Sequence, residues 1–116
     1  MQPPIVVNNR GDIMFFASVK KVEQELEAVD VENREYIAYD SEGRLITLGT
    51  APRNGWRFFG AKRVVVQSAE PLPTHAGELQ EVLRNFFRHP RVGEPEEWVV
   101  SASLSDLVNR GLEKHQ

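Results

Sequence analysis

Tyr36-Ile37-Ala38-Tyr39-Asp40-Ser41-Glu42-Gly43-Arg44-Leu45-Ile46-Thr47-Leu48 sets two apolar runs on either side of a polar turn. Asp is favoured at the first position of a type I turn, and Gly supplies the left-handed residue that closes a bulged hairpin. The stretch therefore predicts an antiparallel hairpin, and with it a β-sheet on which the rest of the chain must pack. Asp40-x-Glu42 superficially suggests calcium. An EF-hand loop needs ligands at positions 1, 3 and 5, Gly at 6 and Glu at 12. Gly43 comes too early for that, so the turn reading is preferred.

Upstream, Ile5-Val6-Val7 and Ile13-Met14-Phe15-Phe16 read as two strands around the turn Asn8-Asn9-Arg10-Gly11-Asp12. Ser18 is placed to cap a helix. Val19, Val22, Leu26 and Val29 form its apolar stripe. The helix is expected to end near Ala28, with Asp30-Val31-Glu32-Asn33 as a loop.

Downstream, residues 49–60 read as irregular, and Lys62-Arg63-Val64-Val65-Val66-Gln67 as a strand. Thr74 is the expected cap of a second helix, whose core face is Leu79, Val82, Leu83, Phe86 and Phe87. Pro90 ends it. Trp98-Val99-Val100 is expected to be a short strand or an extended stretch. Ser103 and Asp106 resemble a capping box for a last helix that buries Leu104, Leu107, Val108 and Leu112. The order predicts an α+β fold in one compact domain over residues 1–116. Its sheet is antiparallel or mixed, with about five to six short strands and three helices, mainly packed on one face.

A chain of 116 residues with 41% hydrophobic and 27% charged residues can bury a core of its own. With no cysteine, disulfides and thiolate metal sites are excluded. Met1-Gln2-Pro3-Pro4-Ile5 lacks the basic and apolar regions of a secretory signal. No apolar run approaches the ~20 residues of a membrane-spanning helix. A bacterial cytoplasmic protein with no membrane association is expected.

The formal charge of −3 conceals a split. Glu23, Glu25, Glu27, Asp30, Glu32, Glu35, Asp40 and Glu42 share their stretch with one base, Arg34. Arg53 to Arg63 then holds Arg53, Arg57, Lys62 and Arg63, no acid, and Trp56, Phe58 and Phe59. Glu23 and Glu27 are like charges four apart on a helix, a mildly repulsive arrangement. Such runs usually only solvate a face, but the continuity of this one could gather a partner surface. The basic-aromatic segment could stack bases and neutralise phosphates; strand alternation with the aromatics in the core is the preferred reading. A pI of about 5.6 gives no global attraction to nucleic acid, and direct nucleic-acid binding is not expected.

His75, His89 and His115 show neither metal-ligand spacing nor a nearby nucleophile, so surface or capping roles are expected. Arg84 and Arg88 share a helix face, with Glu81 as the natural partner of Arg84. There is no glycine-rich phosphate loop, nucleophile elbow or zinc spacing. Neither catalysis, cofactor nor metal is expected.

One resemblance adds to this reading. Phe16-x-Ser18, the acidic amphipathic helix, and the stretch from Leu26 to Arg44 resemble small bacterial immunity proteins of polymorphic or contact-dependent toxin systems. The likeness spans residues 16–48. Immunity families share no common fold, so it transfers no site. It implies a cytoplasmic inhibitor that binds a cognate toxin and blocks its active site or access to it. The acidic residues Glu23, Glu27, Asp30, Glu32, Glu35, Asp40 and Glu42 would meet the toxin's basic cleft, with Tyr36 or Tyr39 as an aromatic anchor. Arg53, Trp56 and Arg57 form a secondary candidate surface. Two other readings stand beside it. One is an acidic secretion-chaperone-like homodimer that holds an extended effector segment. The other is a small enzyme or nucleotide binder using Arg53, Arg57 and His89.

Overall fold

The computed structural model describes residues 1–53 and 61–115. The elements are β1 (Ile5–Asn9), β2 (Asp12–Phe16), α1 (Val19–Glu25), α2 (Ala28–Glu32), β3 (Tyr36–Tyr39), β4 (Leu45–Pro52), β5 (Lys62–Ala69), α3 (Ala76–Arg88), α4 (Glu96–Ser101) and α5 (Leu104–His115). The strands form one antiparallel sheet in the order β2-β1-β3-β4-β5. The α+β class and the five-stranded sheet are as the sequence predicts; among the described residues the helices number five, not three.

Both extra helices have local causes. Trp98-Val99-Val100 lies in α4, not in a strand. Pro95 stands at its N-cap, and Glu96 and Glu97 occupy the first turn, where carboxylates suit the helix dipole. Val99 is the residue this short helix buries. Asp30-Val31-Glu32 lies in α2, not in a loop. Leu26 caps α1 with extended dihedrals, φ −77° and ψ 149°, and the chain re-enters helix at Ala28. The break shifts the phase of the apolar stripe. Val22 and Leu26 are buried, but Val29 is 59% exposed.

Alternation along the strands divides the interior into two cores. Val6, Ile13, Phe15 and Tyr39 face a cluster with Leu79, Leu83 and Phe87 of α3, Val99 of α4, and Leu107 and Val108 of α5. Ile5, Val7, Phe16, Ala38, Ile46 and Val64 face the other way, onto Val22 and Leu26. Most of the helical chain thus covers one face, and α1 and α2 cover the second. Gly111 lets α5 lie directly on Phe15, because a Cβ there would enter the Phe15 ring.

The predicted hairpin forms as read. Gly43 has φ +93°, and Asp40 N–H donates to Arg44 O at 2.9 Å. A Cβ at Gly43 would collide with the Ala76 backbone, so this glycine also lets the start of α3 close against the turn. Ser18 Oγ accepts the Lys21 N–H at 3.2 Å, as expected of a cap. Ser103 and Asp106 bond reciprocally. Thr74 does not cap α3; its hydroxyl donates to Glu70 Oε2 at 2.8 Å, and His75 takes the N-cap position without a side-chain bond to the helix N–H groups. Arg84 is not left to solvent and Glu81. Its guanidinium donates to the carbonyls of Val99, Val100 and Ala102, closing the C-terminus of α4.

Candidate functional site

The acidic run does not fold into one patch. Its members separate into a cluster on α2 and a set of structural acids, and β3, about 13 Å of extended chain, lies between the two ends.

The cluster is organised by the end of α2. Asn33 is the C-cap, and Arg34 takes the left-handed conformation with φ +58°. Arg34 N–H donates to Val31 O and Glu35 N–H to Asp30 O, each at 3.0 Å. This is a Schellman turn, with Arg34 where glycine is usual. The turn folds Glu35 back toward Asp30. The neighbouring Asp30 carboxyl, then burial, raises the Glu35 pKa. The Arg10 guanidinium, 2.8 Å from Glu35 Oε1, acts in the opposite direction. Tyr36 opens β3 beside them and donates its hydroxyl to Asp30 Oδ2 at 3.1 Å. Burial is the main cause of its raised pKa, with added charge from Asp30 and Glu27. Glu27 and Glu32 are exposed at the two ends of this shoulder, and Glu32 pairs with Lys62 of β5 at 2.8 Å.

The other acids serve the fold. Glu23 accepts the Val66 N–H of the edge strand β5 at 2.8 Å. Asp40 is wholly buried. Its carboxylate accepts the N–H groups of Gln2, Glu42 and Arg44 at 2.9, 3.0 and 2.9 Å, with the Arg44 guanidinium at 3.4 Å. Burial pushes its pKa up, but these donors outweigh burial and hold it below the usual carboxylate range. Tyr39 is 1% exposed and donates its hydroxyl to Glu78 at 2.6 Å. Burial, then that bond, raises its pKa well above the phenol range. Tyr39 and Asp40 therefore cannot touch a partner, and both leave the candidate surface. Glu42 is exposed but paired with Arg44 at 2.8 Å.

Arg53 is exposed at the end of β4, and its N–H donates to Ala61 O at 3.1 Å. Trp56 and Arg57 lie outside the described residues.

The histidines separate into three environments. His75 Nδ1 lies 2.6 Å from Glu70 Oε1 and 3.2 Å from Thr74 Oγ1. The two groups meet the same ring nitrogen, so this is no relay in which a base links a nucleophile to an acid across its ring. Bonding to Glu70 raises the His75 pKa. Burial raises that of Glu70, but bonds from His75, Leu45 N–H and Thr74 overcome it and bring it to about 2. His115 stacks edge-on to Phe86, with ring centroids 5.2 Å apart. His89 Nδ1 accepts the Arg91 N–H at 3.2 Å.

His89 also borders a feature that sequence reasoning missed, a cleft of about 690 Å³ between the β1–β2 turn and the C-terminal half of α3. Ile13, Val82, Phe86 and Val92 supply its apolar lining. Asn8, Asp12, Asn85, His89 and Arg91 supply its polar groups. No local pattern brings residues 8–13 onto residues 82–92; the one available signal was that Val82 and Phe86 flank the buried stripe. Arg53 does not line this cleft, so the expected convergence of Arg53 with His89 does not occur there.

Among the described residues no helix is long and apolar enough to cross a membrane, and no group of three or more His, Cys, Asp or Glu could hold a metal. Comparison with protein-family models, with curated proteins and with solved structures gives no match to this chain.

Proposed function

We propose that this chain is a non-enzymatic binding protein that captures a basic protein partner through the α2 shoulder. In its most specific form it is a cytoplasmic immunity protein that neutralises a cognate bacterial toxin. The observation that carries the reading is the Asp30–Glu35 carboxyl pair. The Schellman turn folds Glu35 back toward Asp30, beside the exposed Glu27 and Glu32, so four acids gather around α2. A cationic side chain arriving from a partner would add to the Arg10 contact that Glu35 already has. Val29, 59% exposed on the same helix, offers apolar contact beside the charges. A basic cleft on a nuclease-like toxin would be steered toward such a shoulder and then blocked by it.

The test is capture from native lysate by the tagged protein at low and high salt, alongside a variant carrying Glu27→Lys, Asp30→Lys and Glu35→Lys. One partner held at low salt, weakened by salt and lost with the folded variant is the expected result. Unchanged capture by the variant would remove the acidic shoulder as the binding surface.

A further inference from the structure

We propose that the cleft between the β1–β2 turn and α3 is a separate binding site for a short apolar peptide with both termini free. Its volume of about 690 Å³ lies in the range of small-molecule sites. Its walls are fixed. The β1–β2 turn has positive φ at Arg10 and Gly11, the mirror-image geometry that suits a tight hairpin. Asn8 Oδ1 holds that turn by accepting the Gly11 N–H at 2.7 Å. The opposite wall is α3, anchored in the core by Leu79, Leu83 and Phe87.

Two of the polar groups are preset. With Asn8 Oδ1 engaged, the Asn8 amide can offer its N–H donors. With His89 Nδ1 accepting the Arg91 N–H, the ring proton sits on Nε2, which acts as a donor. Arg84, Arg88 and Arg110 of the neighbouring helices all have carbonyl or carboxylate partners. Among the described residues the Arg91 guanidinium has none, and neither has the Asp12 carboxylate, although both line this cleft.

Two opposite charges that share a cleft without pairing suit a dipolar ligand. A simple anion fits poorly. It would find one full positive charge and leave Asp12 opposed and unanswered. A nucleotide's several phosphate charges would meet the same imbalance. A simple cation would face Arg91. A peptide zwitterion answers both charges: its ammonium meets Asp12, its carboxylate meets Arg91 and the His89 Nε2–H, and its side chains cover Phe86 and Val82.

The test is a titration of the full chain with trileucine, followed by amide chemical shifts and by calorimetry. The peptide is compared with its C-terminal amide and its N-acetyl form, and with inorganic phosphate. Shifts confined to Asn8, Gly11, Asn85 and Arg91 are expected, with each capped peptide at least about tenfold weaker. Arg91→Gln should weaken the free peptide by a similar factor and leave the amide unchanged; Asp12→Asn should do the same for the acetylated form. Absence of shifts at about 10 mM peptide would overturn the proposal. So would equal binding of either capped peptide, or phosphate reproducing the same shifts, which would make this an anion site.

Discussion

Replacing Asp40 by Ala should be among the most destabilising single changes at the surface turns of this protein, and it should leave partner binding by the folded molecules intact. The carboxylate accepts three backbone N–H bonds of 2.9 to 3.0 Å and is wholly buried. Hydrogen bonds to a charged group contribute about 1.5–3 kcal/mol each, and an unmade buried donor costs about 1–3 kcal/mol. Water can reach part of a hairpin turn once the side chain is gone, so the full sum is not lost. A net loss of about 3–5 kcal/mol follows, comparable to breaking a buried ion pair. Against a total of about 5–15 kcal/mol, that is a large fraction of the stability. With a urea m-value of about 2 kcal/mol/M, the midpoint should fall by roughly 2 M at unchanged m.

Asp40→Asn keeps one acceptor oxygen and should cost about half as much. The folded-state pKa of Asp40 lies below its unfolded value, so its contribution is present above about pH 3.9 and is lost as pH falls through the folded value. The gap between wild type and Asp40→Asn should therefore be constant near neutrality and close in acid. Urea unfolding followed by circular dichroism from pH 2 to 7 reads both quantities. An Asp40→Ala midpoint within about 0.5 M of wild type at the same m would refute the structural assignment and return Asp40 to the partner surface.

Arg34→Gly should stabilise the chain by about 1 kcal/mol in the same unfolding assay, because it removes a side chain from a left-handed position with φ +58°. A loss of stability would show that Arg34 makes a compensating contact. For His75 the folded pKa is raised, so the stabilisation from the Glu70 contact is fully present below about pH 6.5 and fades as pH rises through the folded value. The melting temperature of wild type should fall relative to that of His75→Gln between about pH 6 and 9; parallel profiles would show that the pair is not coupled to folding.

The sheet was legible in the sequence wherever turn chemistry and β-branched runs coincided, as at Asp40–Gly43 and at Lys62–Gln67. The last helix was legible from its reciprocal Ser103–Asp106 cap. Errors arose where a short apolar run could satisfy either period. Trp98-Val99-Val100 has the composition of a strand, but Pro95 and two acids start a helix there, and Arg84, distant in sequence, closes it. Val29 fitted the stripe of α1 only on the assumption that the helix ran unbroken through Leu26. The site was harder to read. Acid spacing marked the whole run from Glu23 to Glu42, but charge alone could not separate Glu27, Asp30, Glu32 and Glu35 from Asp40, whose partners include the N–H of Gln2 just ahead of β1. The cleft was invisible because its two walls meet only after the sheet has formed.

The two cores also impose an order on synthesis. The five strands of the described residues lie within residues 5–69, and the helices for one face, α1 and α2, are complete by Glu32. The opposite face is covered only by residues 76–115. A chain emerging from the ribosome can thus assemble the sheet and its first core while Val6, Ile13, Phe15 and Tyr39 still lack the helices that bury them. That half-covered intermediate presents an apolar surface for as long as the remaining residues take to appear. Rare codons between Ala69 and Phe87 would lengthen that interval and should increase aggregation in cells without altering the stability of the finished protein.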